Sequence, residues 1–535
     1  MKKLFIRKTA SAVAAVSMAL SSVGMNAIAE RPILGYMGDI NHDDEVSVAD
    51  LVALNDFLIG GRGLPDGSAY NADMNYDGRV NVYDLVILRG YIAGTRPIEP
   101  IYGEEETTTT TTTTVTTTPV TTTTTVSDSF IDPPIQQVEA YLPSHETGNL
   151  VIFYVDFPDC KYSYDPGADA IQEIAFGSED TSDNNYPFES MHAFYERSSK
   201  GSLDLEGKVF RYTTKENQSA YNTNKDKLVQ ECYEAFDAEC DFSQFDGDGD
   251  GHIDATLLTV PTAAGDDDWW PCAGPSGLVN SRSVKFDGKQ VGHLITGNAQ
   301  IESATDYYNF NSSYLHEMGH CMGLPDYYLY SGDDSEGLHG MAGSELMDTD
   351  ASTDFGALSK LQLGWYTESQ IQVYDKSQSS QTFTLKNAQT SEGNCVIIPV
   401  GDTLSSYNSE YFIIEYTTKD ANNSKPQWWQ KTGNGIRIYH ASAELYDNGW
   451  WVSYKYASGA DEFTNSNAGR RYIRLVNDTG DGSTDNYFRT GDVISSATSG
   501  FNWYDTSGNQ TIDPGVSITV GELTSDGYTI TISKK

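Results

Sequence analysis

The chain has 535 residues and a formal net charge of −42, with 76 acidic against 34 basic side chains. This length exceeds that of one ordinary domain, so several domains are expected. The excess negative charge repels nucleic acid and anionic membranes, and beyond residue 29 no stretch approaches about 18 consecutive apolar residues. We therefore expect no nucleic-acid partner and no membrane insertion.

The first 29 residues are organised like a secretory signal. Basic residues cluster within positions 2–8, an apolar run follows over 10–23, and the small residues Ala27 and Ala29 precede the expected cleavage site. This pattern predicts a signal peptide over 1–29 rather than a membrane span, and therefore a secreted, extracellular protein.

Two segments of the next region repeat each other, DINHDDEVSVAD at 39–50 and DMNYDGRVNVYD at 73–84. Oxygen-bearing residues at alternate positions, with a backbone carbonyl at the seventh, form the arrangement that wraps a calcium ion. Solvated acidic turns are the alternative, but the alignment of two such segments argues against them. The predicted ligands are Asp39, Asn41, Asp43, Glu45 (carbonyl), Ser47 and Asp50 for the first calcium, and Asp73, Asn75, Asp77, Arg79 (carbonyl), Asn81 and Asp84 for the second.

Residues 35–100, which contain both segments and the apolar helical patterns after them, resemble a type I dockerin. The resemblance implies a small all-α domain that binds two Ca²⁺ ions and docks onto a cohesin module of a scaffold protein in a cellulosome-type complex. It also implies a bacterial protein held at a scaffold or cell surface. The family contacts its partner through positions 10 and 11 of each loop, which here are Val48, Ala49, Val82 and Tyr83.

A threonine-rich stretch over 103–128 follows. Its composition cannot build a packed core, so it predicts an extended linker between the small N-terminal domain and the rest of the chain.

The region from 130 onward contains an apolar strand pattern at 149–157 and a helix pattern at 188–199. The segment FDGDGDGHIDATLLTV at 245–260 then places carboxylates at alternate positions before a second apolar strand. We expect a third calcium ion here, with a plain acidic turn as the alternative. Its predicted ligands are Asp246, Asp248, Asp250 and Asp254.

The stretch SYLHEMGHCMGLPDYY, at 313–328, carries the pattern HExxH. On a helix His316 and His320 lie on one face and can bind one metal ion. Glu317 can then act as a general base on a water that zinc has made more acidic. A histidine-rich helix end without metal is the alternative interpretation.

The residues after this pattern suggest where a third ligand comes from. Gly323 can end the helix with a left-handed backbone, which brings Asp326 back towards the two histidines. Two histidines and one carboxylate leave a fourth position for water, as in catalytic zinc sites. His293 and His339 are the competing third ligands.

This motif is similar to that of metzincin-type peptidases of the immune inhibitor A-like (M6) family, and SELMDTD at 344–350 resembles their Met-turn. The resemblance implies an α+β metallopeptidase domain over 130–370, one catalytic Zn²⁺, Met347 beneath it, and a protein or peptide substrate. No long prodomain is evident, and Thr349 stands where metzincins often have a tyrosine. A transition-state stabiliser must therefore lie elsewhere, and the candidates, each with a structural role as the alternative, are His339, Tyr327 and Tyr328.

After residue 370 the sequence consists of short alternating strands, which predicts an all-β, sandwich-like accessory domain over 371–535. Its aromatic residues, including Trp450 and Trp451, suit either strand packing or a carbohydrate-binding face. The six cysteines of the chain leave both disulfides and free buried thiols open.

The sequence therefore predicts a multidomain, secreted zinc-dependent endopeptidase that hydrolyses peptide bonds and is attached to a scaffold by its dockerin. A dockerin-borne polysaccharide hydrolase is one alternative, but its chemistry requires a pair of carboxylates about a sugar bond, and no stretch indicates such a pair. A non-catalytic adhesion or binding module is the other, although a purely structural metal site would not need Glu317.

Overall fold

The computed structural model describes residues 33–36, 38–41, 46–58, 69–72, 85, 88–89, 92, 100–102, 129–137, 140–278, 284–301, 303, 307–328, 344–348, 353–425, 433–447, 452–457, 470–477 and 486–535. The chain divides into two compact units, 1–123 and 124–535. Among the described residues, no helix combines the length and the apolar composition needed to cross a membrane.

Among its described residues, the first unit has helices α1 (Val48–Leu58) and α2 (Ala69–Ala72) and a two-stranded antiparallel ribbon of β1 (Ile33–Tyr36) and β2 (Pro100–Tyr102). Ser47 begins α1, and its Oγ accepts a hydrogen bond from Ala49 N at 3.1 Å. The core is small, and its buried apolar side chains among the described residues come from the first loop, from both helices and from the segment after the second loop: Ile40, Leu54, Ala72, Leu85 and Leu88.

The second unit begins with a five-stranded sheet in the order β4-β3-β5-β7-β6. Its first four strands run parallel, and β6 is an antiparallel edge strand. The last nine residues of β3 are buried, as expected of a parallel strand that is covered on both faces. The strands are β3 (Glu146–Asp156), β4 (Leu203–Thr213), β5 (His252–Pro261), β6 (Cys272–Pro275) and β7 (Gln290–Ala299).

Helices cover both faces of this sheet. They are α3 (Ala168–Phe176), α4 (Met191–Ser198), α5 (Lys225–Phe236), α6 (Asp266–Trp269), α7 (Tyr308–Cys321) and α8 (Ala357–Gln362). Ile152 of β3 shares a core with Leu315 of α7, whereas its neighbour Phe153 shares one with Leu228 of α5. Because side chains alternate along a strand, α7 and α5 lie on opposite faces.

The remainder of the second unit is β-rich, with two larger sheets in the orders β15-β12-β11-β10-β8 and β16-β19-β20-β9. Side chains from both sheets form one core, as expected of a sandwich. The strands are β8 (Ile371–Val373), β9 (Ser380–Leu385), β10 (Cys395–Pro399), β11 (Glu410–Thr417), β12 (Gly435–Ser442), β13 (Leu445–Asp447), β14 (Val452–Tyr454), β15 (Ile473–Leu475), β16 (Val493–Ile494), β17 (Trp503–Tyr504), β18 (Gln510–Ile512), β19 (Val516–Thr524) and β20 (Gly527–Lys534).

The β-rich region does not pack as a module separate from the sheet and helices that precede it. Tyr411 and Tyr439 belong to the same hydrophobic core as Leu361 of α8. A buried ion pair joins Lys360 Nζ to Asp354 Oδ2 at 2.5 Å within this junction. The predicted boundary at residue 370 is thus a change of secondary structure inside one compact unit.

All six cysteines are free thiols: Cys160, Cys232, Cys240, Cys272, Cys321 and Cys395. Five of them are buried, and Cys272 is exposed. Of the two alternatives that the sequence left open, the structure has the free thiols.

Candidate functional site

Helix α7 carries His316, Glu317 and His320 in its last two turns and ends at Cys321. Gly323 has a φ of +95°, a left-handed conformation that favours glycine. Gly323 N donates to His320 O at 2.8 Å, which closes the last turn. The chain reverses here, as the sequence predicts, and returns Asp326 to the face of the helix that carries the histidines.

The three predicted zinc ligands converge. Asp326 Oδ1 lies 3.0 Å from His316 Nε2 and 3.3 Å from His320 Nε2. One ligand atom from each residue lies within 4.8 Å of the others. A tetrahedral zinc ion with bonds of about 2.0–2.1 Å keeps its ligand atoms roughly 3.3 Å apart, so the three residues fit such an ion.

The other ring nitrogen of each histidine is anchored to the backbone. His316 Nδ1 donates to Leu346 O at 2.8 Å, and His320 Nδ1 donates to Leu324 O at 2.8 Å. A donor at Nδ1 leaves the lone pair of a neutral imidazole at Nε2, which is the atom directed towards Asp326. This is the arrangement found for metal-binding histidines, whose second nitrogen is held by a carbonyl or carboxylate.

The electrostatics of the cluster favour a positive charge. Burial alone would lower the pKa of His316, but its hydrogen bond with Asp326 and the negative charges of Glu317 and Asp326 raise that pKa to about 10. Burial would raise the pKa of Asp326, but hydrogen bonds from His316 and His320 hold it well below its usual range. Asp326 is therefore a carboxylate at neutral pH, which is the form that binds a metal ion.

The predicted Met-turn lies directly beneath α7. Leu346–Asp348 form a short 3-10 helix in which Met347 is fully buried. A Cβ placed on Gly319 of α7 would lie 2.4 Å from Met347 Sδ, so a glycine is required for this close approach. The turn also contacts the ligand segment, because Tyr327 N donates to Met347 O at 2.9 Å.

The structure distinguishes among the other residues considered as transition-state stabilisers or as the third zinc ligand. The Tyr327 hydroxyl is buried and hydrogen-bonded to Ser359 Oγ at 2.7 Å, a contact that favours a structural role. The Tyr328 ring is half-buried and nearly parallel to that of His316, with centroids 6.3 Å apart. His293 packs on the Tyr141 ring at 5.0 Å and is not among the three converging ligands. His339 and Thr349 lie outside the described residues.

The predicted third calcium site also brings carboxylates together. Asp246, Asp248 and Asp254 each place an oxygen within 4.8 Å of the others. Asp254 is fully buried, and burial together with the charge of Asp248 raises its pKa to about 8. The Asp246 side chain is also fully buried, and its Oδ1 has no hydrogen-bond partner among the described residues. Asp250 is not among these three residues, and its Oδ1 accepts hydrogen bonds from His252 N and Nδ1 at 2.7 and 3.1 Å.

In the first loop of the N-terminal unit, Asp50 joins the beginning of the loop to its end. Its Oδ1 accepts hydrogen bonds from Ile40 N at 2.9 Å and Asn41 N at 3.0 Å, and its Oδ2 accepts one from Ser47 N at 2.8 Å. Asp39 is buried beside it, whereas Val48 and Ala49 are exposed. The other predicted residues of this unit lie outside the described residues: Asp43, Glu45, Asp73, Asn75, Asp77, Arg79, Asn81, Val82, Tyr83 and Asp84.

Sequence reasoning did not identify the groups that support the ligands. The carbonyl oxygens of Leu324 and Leu346 orient the two histidines, and every residue carries such an oxygen, so no side-chain pattern marks them. Likewise, Asn149 N donates to Asp254 Oδ2 at 2.8 Å from a strand far away in sequence. The one sequence pattern that includes Leu346 is the predicted Met-turn at 344–350.

Comparison with known proteins identifies the N-terminal unit. Residues 37–93 match the family profile of the dockerin type I domain, and no curated protein matches the chain. These residues are therefore a type I dockerin domain, a class that binds calcium and the cohesin modules of scaffold proteins. The dockerin prediction is confirmed, and the cluster of His316, His320 and Asp326 lies outside the matched residues.

Proposed function

We propose that the chain is an extracellular zinc-dependent endopeptidase that its type I dockerin domain attaches to a cohesin-bearing scaffold. The observation that carries the peptidase part is the anchoring of both histidines through Nδ1, with both Nε2 atoms directed at one oxygen of Asp326. A helix end whose histidines served only to cap carbonyls would not require a buried carboxylate between them.

The residues around this cluster suit peptide hydrolysis. Bound zinc would supply a Lewis acid that polarises the scissile carbonyl and makes an attacking water more acidic. Glu317 follows His316 on α7 and is nearly buried, which strengthens its interactions with a reacting group. We assign Glu317 the role of general base, which accepts a proton from the water and passes it to the leaving amine.

The edge of the five-stranded sheet offers a place for an extended peptide. Strand β6 is the antiparallel edge of that sheet and packs beside α7. Its ends, Cys272 and Pro275, are exposed, and a Cβ added at Gly274 would meet nothing within 4 Å. Extended peptides bind such edges as an additional strand through main-chain hydrogen bonds. This mode favours a polypeptide substrate over a sugar chain.

For the dockerin, the exposed face of α1 supports a cohesin contact. Val48 and Val52 are 60% and 62% exposed and lie one turn apart on the helix. Exposed apolar side chains that share one helix face can form part of a partner interface. Secretion, which the N-terminal pattern predicts, agrees with the extracellular setting of dockerin-bearing proteins.

We further propose that Asp246, Asp248 and Asp254 bind a structural calcium ion. Asp246 Oδ1 is buried without a hydrogen-bond partner among the described residues, although Oδ2 of the same side chain pairs with Lys289 Nζ. The Asp254 carboxylate is fully buried, and a calcium ion would compensate the burial of both groups. Because Asp254 is the third residue of β5 and accepts a hydrogen bond from Asn149 of β3, an ion here would fix two neighbouring strands of the sheet.

The purified protein should be incubated with casein and with xylan, with and without a zinc-selective chelator, while calcium is kept in excess. Chelator-sensitive cleavage of casein alone is the expected result. Degradation of xylan would instead favour a polysaccharide hydrolase. Inactivity towards both substrates in a zinc-loaded sample would favour a non-catalytic binding module.

A further inference from the structure

Arg437 of β12 crosses from the β-rich region to the Met-turn. It is 2% exposed, and its Nη1 donates to Ser344 O at 2.8 Å and to the Tyr439 hydroxyl at 3.2 Å. Its Nη2 donates to the Tyr487 hydroxyl, and its guanidinium lies 4.6 Å from the centre of that ring. The direction of the guanidinium is thus fixed by the β-rich region, and one of its hydrogen bonds ends on the backbone of the turn.

Glu345, a residue of the turn itself, connects the turn to the start of α8. This fully buried carboxylate accepts hydrogen bonds from Met347 N at 2.5 Å, Gly356 N at 3.0 Å and Ser359 Oγ at 2.6 Å. The backbone of Ser344–Asp348 is therefore clamped between the start of α8 and the arginine.

The clamped turn is what orients the first histidine. Leu346 O, two residues after the carbonyl bound by Arg437, accepts the hydrogen bond from His316 Nδ1. Met347 supports α7 from below at Gly319. A shift of the turn would therefore move both the carbonyl that fixes the His316 ring and the side chain that supports its helix.

We infer that Arg437 is a positioning residue for the metal centre, and that the β-rich region thereby forms part of that centre. This inference rests on the proposed zinc site. An arginine suits the role because its planar fork fixes several acceptors in set directions, which a lysine ammonium does not. Its buried charge is compensated by Glu415, the residue directly opposite it on β11.

The competing explanation is that Arg437 only stabilises the sandwich. Such a role would lower the unfolding temperature without changing how tightly the folded protein binds zinc. A positioning role changes zinc affinity itself, because groups that orient metal-binding histidines typically contribute about 10–100-fold to affinity. Zinc affinity and stability of the metal-free protein therefore have to be measured side by side.

The test compares Arg437→Lys with Arg470→Lys in the full chain. Arg470 is a matched control, since it is mostly buried in the same region and pairs with Glu410 and Glu444. Zinc affinity is measured by competition with a chromophoric chelator, ligand geometry by the visible absorption of the cobalt-loaded protein, and stability by thermal unfolding after metal removal. We expect Arg437→Lys to bind zinc about tenfold more weakly, with an altered cobalt spectrum, and Arg470→Lys to change affinity less than about twofold.

Zinc affinity of Arg437→Lys within about twofold of the unmodified chain would overturn the inference and leave the proposed function standing. Absence of zinc binding by the unmodified chain would instead overturn both. Should Arg437→Lys fail to fold, Tyr487→Phe decides the matter, because it keeps the arginine and removes the hydroxyl that holds its Nη2. That variant should lose affinity by less than about tenfold but measurably, and an unchanged affinity would contradict the inference.

Discussion

The two compact units arrange their metal-binding residues in different ways. In the dockerin unit the first loop is closed within its own residues, since Asp50 bonds to Ile40, Asn41 and Ser47, and only a small core lies beneath it. In the larger unit, a large shared core positions the cluster on α7, and its supporting contacts come from distant segments such as Leu346. We conclude that the ion should maintain the fold of the first unit, whereas the fold should pre-form the site of the second.

The largest effect should come from Asp326→Ala. Removal of this carboxylate leaves only two ligands, so dialysed protein should retain almost no zinc and hydrolyse casein no faster than background. The far-ultraviolet circular dichroism should be unchanged, because the core of the unit does not depend on the ion. His293→Ala is the matched control and should keep about one zinc per chain. Full zinc in Asp326→Ala together with loss of zinc in His293→Ala would show that the third ligand is wrongly assigned.

Calcium removal should destabilise the dockerin unit and leave the larger unit folded. Without the ion the carboxylates of the dockerin loops repel one another, and the small core cannot compensate, so α1 should lose its protection against amide hydrogen exchange. Helices α7 and α8 should stay protected in the same sample to within about threefold. The measurement is hydrogen exchange followed by mass spectrometry in excess calcium chelator. Full protection of α1 under these conditions would show that the fold of the dockerin unit does not depend on calcium.

A smaller effect is expected from Asp254→Asn. At a calcium concentration of 100 times Kd, binding stabilises a site by about 2.7 kcal/mol. The larger unit should therefore unfold several degrees higher with calcium, and Asp254→Asn should abolish this shift. Tryptophan fluorescence reports this unit alone, because every tryptophan of the chain lies after residue 268. Asp250→Asn is the control, because Asp250 Oδ1 accepts hydrogen bonds from His252, and this variant should retain the shift. An unaltered shift in Asp254→Asn would refute the site.

The smallest effect is expected from Val48→Asp on cohesin binding. The side chain is exposed, so its substitution should not destabilise the domain. The second repeat offers the equivalent residues Val82 and Tyr83, so affinity for responsive members of a panel of type I cohesin modules should fall about tenfold or less. The double variant with Val82→Asp should fall at least about 30-fold. A single variant as weak as the double would show that the second repeat does not supply an equivalent contact.

The sequence could predict the local features of both units, but not the contacts that depend on tertiary packing. Three features are local in the sequence: the loop at 39–50, the spacing from His316 to Asp326 and the turn at Gly323. Side-chain identity and helical periodicity were therefore sufficient to propose them. The support for His316 was not predictable, because it uses the carbonyl of Leu346, an atom that every residue carries, brought close by tertiary packing. In the sequence, nothing distinguishes Arg437 from the other polar residues of an alternating strand pattern.

The structure also narrowed alternatives that the sequence left open. Tyr327 and Tyr328 are adjacent and chemically identical, and only the structure distinguishes them. Tyr327 is buried and hydrogen-bonded to Ser359, whereas Tyr328 is half-buried near the His316 ring. The predicted boundary at 370 followed a real change from helices to strands. No periodicity could show that Tyr439 and Leu361 would share one core across it.

One variant, Glu317→Gln, decides whether α7 carries a zinc centre with Glu317 as its general base. Zinc content and casein hydrolysis should be measured on the same preparations of the unmodified chain and of Glu317→Gln. We expect one zinc per chain in both, with hydrolysis in the variant reduced by roughly 10²–10⁴-fold, the contribution of a general base. A Glu317→Gln protein that keeps its zinc and cleaves casein at an undiminished rate would show that Glu317 is not the base.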